Sequence, residues 1–149
     1  ASTRTQQSTM VTLFSGLVGG LVATVVMSMV MMTMGGGPPP TAALLAKFRG
    51  GEPEAYKMPG MLLHLLYGTV AGAVLVVAVS TVAPGITSLT AWVGIGLAYG
   101  IVLLLGGAMG WVKGVIGLEP DKQMMVGFAV VHIVYGLVLG AWLGVGVLG

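Results

Sequence analysis

Cysteine is absent from this chain of 149 residues, and charged side chains are scarce. The missing thiols exclude disulfides, thiolate catalysis, iron–sulfur clusters and zinc sites built on cysteine. Asp, Glu, Lys and Arg make up 7% of the residues, against about 25% in an ordinary soluble domain. Such a chain cannot cover a water-facing surface, and its mean hydropathy of +1.03 predicts an integral membrane protein.

Four long apolar runs follow one another, at about residues 10–34, 60–83, 90–112 and 124–148. As a helix with a rise of about 1.5 Å per residue, each can cross a hydrocarbon core about 30 Å thick. Helices are favoured over barrel strands because the runs are continuous and do not alternate between apolar and polar residues. The sequence therefore predicts an all-α membrane protein with four transmembrane helices in one domain, residues 1–149.

Charged side chains cluster in the first and third connections between these runs. The two connections carry Lys47, Arg49, Lys57, Lys113 and Lys122 together with Glu52, Glu54, Glu119 and Asp121. Arg4 is the only charged side chain elsewhere. Because Lys and Arg near the ends of spans are enriched on the cytoplasmic side, we expect both charged connections in the cytoplasm and both termini outside.

Charge is also missing from the interior of the four runs, and this absence bears on function. Proton relays and coupled ion pumps usually need an intramembrane carboxylate or lysine, so a proton-driven transporter is disfavoured. No HExxH motif and no Ser/His/carboxylate set is present, and the prolines of GGGPPP remove the amide donors that a phosphate-binding loop needs. The sequence thus gives no positive sign of an enzyme, and any catalysis would depend on histidine, tyrosine or a bound cofactor.

One pattern occurs twice in the chain. HLLYGTVAGA at 64–73 and HIVYGLVLGA at 132–141 share the spacing H-x-x-Y-G-x-x-x-G-A, and a Glu-Pro pair precedes each. GLVATVVMSM at 20–29 can also be laid over GIVLLLGGAM at 100–109. We interpret the chain as two tandem, parallel-repeat helical hairpins, repeat 1 at about 10–83 and repeat 2 at about 90–148, related by an axis along the membrane normal. The alternative is chance similarity between apolar segments.

Glycines recur at four-residue spacing in all four runs. The pattern comprises Gly16 and Gly20, Gly68 and Gly72, Gly96 and Gly100, Gly106 and Gly110, and Gly136, Gly140 and Gly144. In lipid, small residues at this spacing let helix backbones approach closely, so we interpret most of these glycines as packing residues. The same faces would leave flat walls for a lipid tail, a pigment or a porphyrin.

The two histidines lie on these glycine faces at similar predicted depth, with a tyrosine three residues after each. The plainer interpretation is that neutral imidazoles form hydrogen bonds between helices. The sharper interpretation is a b-type haem whose iron both imidazoles ligate, although no arginine within the runs would hold its propionates. The candidate residues for this cofactor site are His64, His132, Tyr67, Tyr135, Gly68 and Gly136.

Methionines crowd the end of the first run, at Met27, Met29, Met31, Met32 and Met34. Met27 and Met31 share one helix face. Thioether sulfur is a soft ligand suited to Cu(I), and histidine would complete such a site. Methionine is also a flexible filler of apolar cores, so packing is the alternative.

GLVGGLVATVVMSMVM at 16–31 and the recurring HxxYG resemble uncharacterised small prokaryotic four-helix integral membrane proteins. The resemblance implies a prokaryotic cell membrane and the same topology, and it implies no activity. From the glycine faces we predict a non-catalytic accessory, structural or hydrophobic-ligand-binding subunit that contacts membrane lipids and other membrane subunits or copies of itself. The alternatives are a bis-histidine haem electron carrier, and a channel or carrier for a small neutral solute or Cu(I). The few basic residues form no stripe, so we expect no nucleic-acid partner.

Overall fold

The computed structural model describes residues 2–35 and 37–146, with side chains from Leu13 onward, and the regular elements of this part of the chain are all helical. They are α1 (Ser2–Thr33), α2 (Pro40–Arg49), a 3-10 helix (Pro53–Tyr56), α3 (Lys57–Val82), α4 (Leu89–Leu105), a π-helix (Gly106–Ile116) and α5 (Lys122–Val145). The predicted all-α membrane fold is confirmed, because four helical stretches are long and apolar enough to cross a membrane: Leu13–Thr33, Pro53–Val82, Leu89–Ile116 and Lys122–Val145. The side chain of Arg4 and the end of the fourth predicted run lie outside the described residues.

Local sequence signals set the ends of several helices. Pro40 occupies the first turn of α2, where a missing N–H costs nothing, and Gly50 ends that helix at φ 84°. The Ser88 hydroxyl accepts a hydrogen bond from the Ala91 amide at 3.1 Å and caps α4. The Asp121 carboxylate accepts from the Met124 amide at 2.7 Å and caps α5 in the same way.

The third span departs from the expected single α-helix. It is α-helical to Leu105 and then continues as a π-helix to Ile116, beyond the predicted end at 112. Gly106, Gly107, Gly110 and Gly114 fall in this segment, and glycine stabilises the α-helix poorly. The prediction that Gly106 and Gly110 are packing residues is wrong, since a Cβ at either would meet no described atom within 4 Å. The wider turn of the π-helix changes which residues share a face.

Glycine faces join the spans in two pairs. In the α1–α3 pair, a Cβ at Gly20 would lie 2.5 Å from the Gly68 carbonyl oxygen. In the α4–α5 pair, a Cβ at Gly100 would lie 2.5 Å from the carbonyl oxygen of His132. Only glycine allows such close backbone approach, so the predicted packing role is confirmed at these positions.

The order of the helices around the bundle leaves one side open. Helix α1 packs against both α3 and α5, and α4 packs against α5, whereas α3 and α4 hardly meet within the described residues. The neighbours are therefore α3, α1, α5 and α4 in that order, with a gap between the two outer helices. The Tyr99 hydroxyl crosses this gap and donates to the Ala71 carbonyl at 2.6 Å.

The two hairpins share part of their packing. A Cβ at Gly20 would meet the Gly68 carbonyl and the Gly72 Cα, and a Cβ at Gly96 would meet the corresponding atoms of Gly136 and Gly140. By its contacts, Gly96 is therefore the counterpart of Gly20 in the second hairpin. The sequence overlay instead aligned Gly20 with Gly100, which lies one helical turn further along α4. Because α1 packs on α5 while α3 and α4 remain apart, the two hairpins have different surroundings, and the tandem repeat stays a prediction.

Apolar side chains cover the outside of the bundle as well as its core. Leu62 on α3, Val102 on α4 and Val126 on α5 are each more than half exposed. Water would penalise such a surface, whereas lipid acyl chains match it. The outer faces thus agree with a location in a membrane.

Candidate functional site

A cavity of about 220 Å³ fills the gap between α3 and α4, at the end of the bundle that carries the charged connections. All four spans contribute to its wall, and α2 covers its loop side. The residues that determine its chemistry are Thr24, Met27, Met31, Thr41, His64, Tyr67, Trp111, Phe128, His132 and Tyr135. The remaining lining is glycine, proline, alanine, leucine, valine and isoleucine, so the cavity is apolar with a few polar groups.

Two tyrosine hydrogen bonds close the cavity on the side away from the charged loops. The Tyr135 hydroxyl donates to the Gly68 carbonyl at 2.7 Å, and Tyr99 donates to the Ala71 carbonyl about one turn further along α3. Both bonds link the second hairpin to α3. A buried phenol needs such a partner in an apolar interior, so these bonds hold α3 at a fixed distance from α4 and α5.

Helix α2 is fixed over the opposite side. The Thr41 hydroxyl donates to the Gly60 carbonyl at 2.5 Å, and Gly60 is so close to Ala42 that a Cβ there would overlap it. At the other end of α2, the Lys47 ammonium donates to the Ile116 carbonyl at 3.3 Å. The connection between the first two runs is thus partly a helical cover for the cavity.

The orientation of His132 is set by its own helix. Its Nδ1 lies 2.7 Å from the Phe128 carbonyl oxygen, which can only accept, so Nδ1 carries the proton in this hydrogen bond. The Phe128 ring packs edge-on against the imidazole, with centroids 6.1 Å apart. In the neutral ring, Nε2 then keeps a free lone pair.

His64 presents the complementary feature. Its Nε2 is buried and has no hydrogen-bond partner among the described residues. A buried polar atom of this kind costs free energy unless something binds it. Since His64 and His132 line the same cavity, the structure brings together the two histidines whose relative placement the sequence left open.

The other predicted candidates divide between the cavity and the packing faces. Tyr67 and Gly68 line the cavity with the two histidines, and Tyr135 lines it while its hydroxyl bonds to the Gly68 carbonyl. Gly136 does not line it. Instead, Gly136 packs against the backbone of Gly96, where a Cβ would overlap the Gly96 carbonyl.

Three aromatic residues of the site escaped the sequence interpretation. Trp111 and Phe128 line the cavity, and Tyr99 bridges its far side. Only Tyr99 carried a usable signal, because Tyr99-Gly100 repeats the Tyr-Gly pair found after each histidine. Trp111 reaches the cavity through the π-helix, which no periodicity indicated.

A second cavity, of about 550 Å³, lies next to the first at the loop end of the bundle. The two share lining residues, among them Met31, Pro40 and Phe128. Asp121 and Gln123 line the second cavity and give it a more polar character. It therefore lies between the charged connections and the cavity that the histidines line.

The lining limits the chemistry available. Neither cysteine nor a carboxylate lines the first cavity, and the described residues contain no group of three His, Cys, Asp or Glu side chains close enough to hold a metal ion. The groups present are two imidazoles, two thioethers, hydroxyls and aromatic rings. This set is suited to binding an apolar molecule or a soft cation.

Comparison with known proteins gives a family and no activity. The model of a family of unknown function, DUF6789, matches residues 10–146. No curated protein and no solved structure matches the chain.

Proposed function

Since this chain belongs to DUF6789, a family of unknown function, we propose its role from the geometry of the cavity. It is a non-catalytic membrane protein that holds a small hydrophobic ligand between α3 and α4, as an accessory subunit of a larger membrane assembly. The observation that carries the proposal is an apolar cavity, walled by all four spans, into which two histidines project. Small-molecule sites combine an apolar lining with a few polar groups in this manner.

The lateral position of the cavity supports a ligand taken from the lipid phase. Tyr67 on α3 and Trp111 on the π-helix both line the cavity, and each is 44% exposed. The cavity thus opens between the two outer helices toward the surface that acyl chains would contact. A molecule with an apolar body and one hydroxyl or carbonyl group fits this environment, because the body contacts the apolar wall and an imidazole meets the polar group.

The sidedness of the protein follows from the charged connections. Lys47 and Lys113 lie at the same end of the bundle as the cavity, beside Ile116 and Glu119. By the preference of basic residues for the cytoplasmic side, this end faces the cytoplasm and both termini lie outside. The ligand cavity is then in the cytoplasmic half of the membrane.

Filling the cavity tests the ligand proposal. Gly107 lines the cavity, and a Cβ at this position would meet no described atom within 4 Å, so Gly107→Leu places a side chain in the space without a backbone clash. Gly106→Leu is the matched control, because Gly106 is also free of neighbours, is exposed, and does not line the cavity. Both variants exchange the same residue type in the same π-helix.

The measurement is mass spectrometry of solvent extracts from protein purified out of native membranes. We expect a near-stoichiometric hydrophobic species with the unmodified protein and with Gly106→Leu, and its loss with Gly107→Leu. Recovery of an empty protein, or equal retention by both variants, would overturn the ligand proposal. If no other membrane protein copurifies after mild solubilisation, the accessory-subunit part fails separately.

The bis-histidine haem carrier has one observation in its favour, the shared cavity of His64 and His132. A haem nevertheless does not fit the cavity as it stands. The cavity volume of about 220 Å³ is below the range of about 300–1,000 Å³ found for the binding sites of drug-sized ligands. No charged side chain among the described lining residues would hold the propionates. A visible spectrum of protein expressed with haem available tests this: we expect no Soret band, and a band lost in His64→Ala and His132→Ala would establish the haem carrier instead.

A further inference from the structure

We infer that Met27, Met31, His64 and His132 form a site for a soft monovalent cation of the Cu(I) class. All four side chains line the same cavity, and they come from α1, α3 and α5. The inference goes beyond the hydrophobic ligand proposed above, and it stands on the placement of these four donor groups.

His64 on α3 lies at the same level of the bundle as the two methionines of α1. Thr24 on α1 fills the space beside Gly68 on α3, and the two helices are antiparallel, since Gly16 meets Gly72 while Gly20 meets Gly68. From the Thr24–Gly68 contact toward the charged end, the helical rise puts Met27 at about 4.5 Å, His64 at about 6 Å and Met31 at about 10.5 Å. His64 therefore lies between the levels of the two methionines.

His132 on α5 also lies level with the two methionines. Gly19 on α1 meets Trp142, and Gly127 on α5 lies near the Met34 methyl group, so α1 and α5 are also antiparallel. From the Gly19–Trp142 contact, the rise puts Met27 at about 12 Å, His132 at about 15 Å and Met31 at about 18 Å. Both histidines thus lie at heights between Met27 and Met31, on helices that flank α1.

Each histidine has one ring nitrogen that can serve as a donor atom to a cation. Metal-binding histidines typically donate one ring N–H to a carbonyl and coordinate through the other nitrogen, and the Nδ1–Phe128 carbonyl bond of His132 is of this kind. His64 supplies a buried Nε2 that has no partner among the described residues. Met27 is buried and Met31 is half-buried, one turn apart on the face of α1 toward the cavity.

The lining of the cavity favours a soft monovalent ion over the common divalent cations. Ca²⁺ and Mg²⁺ require oxygen ligands, chiefly carboxylates, and no carboxylate lines this cavity. Structural Zn²⁺ takes four nitrogen, sulfur or oxygen ligands with thiolate or carboxylate charge available, and here only two imidazoles qualify. Thioethers select Cu(I), and a monovalent ion on neutral ligands places the least charge in an apolar interior. Trp111 is the one tryptophan among the described lining residues of this cavity.

Further methionines lie beside the site, toward the charged connections. Met34 and Met124 line the second cavity, and Met31 lines both cavities. A soft ion entering between the charged connections would pass Met124 and Met34, then Met31, before it reaches Met27 and the histidines. Met29 and Met32 are 61% and 68% exposed on the other faces of α1 and take no part.

Ag⁺ is the probe for the test, because it has the charge and softness of Cu(I) and does not change oxidation state under these conditions. The full chain in detergent is titrated calorimetrically with Ag⁺ and separately with Zn²⁺, in a buffer free of chloride and thiols. We expect one Ag⁺ per chain and no comparable binding of Zn²⁺. Met27→Leu/Met31→Leu should weaken Ag⁺ binding about tenfold or more, since loss of even an outer-sphere partner costs about 10–100-fold.

Met29→Leu/Met32→Leu is the matched control, with the same substitutions on the same helix at exposed positions. Leu is close to Met in volume, so both variants should fold, and circular dichroism and gel filtration check this. An equal loss in both variants, an unchanged affinity in Met27→Leu/Met31→Leu, or no Ag⁺ binding by the unmodified chain would overturn the inference. Because both proposed ligands would occupy this cavity, Ag⁺ is titrated into protein from which detergent exchange has removed the hydrophobic species. Absence of Ag⁺ binding in that protein overturns this inference alone, whereas Ag⁺ binding by a chain whose native extract is empty overturns only the hydrophobic ligand.

Discussion

The Tyr135 hydroxyl donates a hydrogen bond to the Gly68 carbonyl at 2.7 Å and so connects α5 to α3 on the far side of the cavity. Each residue belongs to one copy of the H-x-x-Y-G pattern: the tyrosine of the second copy meets the glycine of the first. The recurring motif thus builds a single site with unequal halves. Its Tyr135 is buried and bonded, whereas Tyr67 is 44% exposed at the mouth of the cavity.

Removing this bond should weaken the link between the two hairpins. We expect Tyr135→Phe to lower the free energy of unfolding by about 1 kcal/mol, the usual contribution of one hydrogen bond between membrane helices or in a protein interior. The measurement is the midpoint of unfolding in mixed detergent and SDS micelles. Tyr56→Phe is the control, because the Tyr56 hydroxyl also donates to a backbone carbonyl, that of Gly50, but within an exposed loop. A smaller loss for Tyr135→Phe than for Tyr56→Phe would contradict the assigned role.

Two glycines of α4 differ in whether they have space for a side chain, because α4 packs closely on α5 at only one of them. A Cβ at Gly96 would overlap the Gly136 carbonyl, whereas a Cβ at Gly94 would meet no described atom within 4 Å. We expect Gly96→Ala to destabilise the bundle by about 1–3 kcal/mol, because the helices must separate to admit the methyl group. Gly94→Ala should cause no loss, since alanine favours the helix. The same SDS titration measures both, and equal midpoints would show that this interface is not close-packed.

The attachment of α2 over the cavity should depend on the Thr41 hydroxyl. Thr41→Val removes the hydrogen bond to the Gly60 carbonyl while keeping the shape of the side chain. We expect faster hydrogen–deuterium exchange of the backbone amides along Pro40–Arg49, since this local contact fixes α2 to α3. Thr81→Val is the control, because the Thr81 hydroxyl bonds only within α3, to Val77. Unchanged exchange in α2 would mean that other contacts hold the cover in place.

Sidedness can be measured directly because the chain has no cysteine of its own. Thr87→Cys places a thiol in the connection between α3 and α4, and Glu54→Cys places one in the charged connection at the other end of the bundle; both positions are exposed. A membrane-impermeant maleimide applied to intact cells should label Thr87→Cys, and should label Glu54→Cys only after lysis. The reverse pattern would invert the proposed orientation.

The spans and the glycine faces could be read from the sequence because both are local properties. A run of about 20 apolar residues must satisfy its own backbone in lipid, so hydropathy alone predicts a helix there. Glycine at four-residue spacing also predicts a close-packing face from neighbouring residues of one helix alone. The structure shows such packing at Gly20, Gly68, Gly96 and Gly100. Gly106 and Gly110 do not pack in this way, because their segment is a π-helix, which the same spacing does not reveal.

The class of the protein, its four spans and the gathering of charge in two connections can all be predicted from the amino-acid sequence. The pairing of the glycine faces cannot, because faces built from the same small residues carry no side chains that select one partner face over another. That pairing puts α1 between α3 and α5 and leaves α3 and α4 apart. The resulting gap brings Met27 and Met31 into one cavity with His64 and His132. Donor groups far apart in the chain become a site only when the helix order is fixed, and long-range packing fixes it.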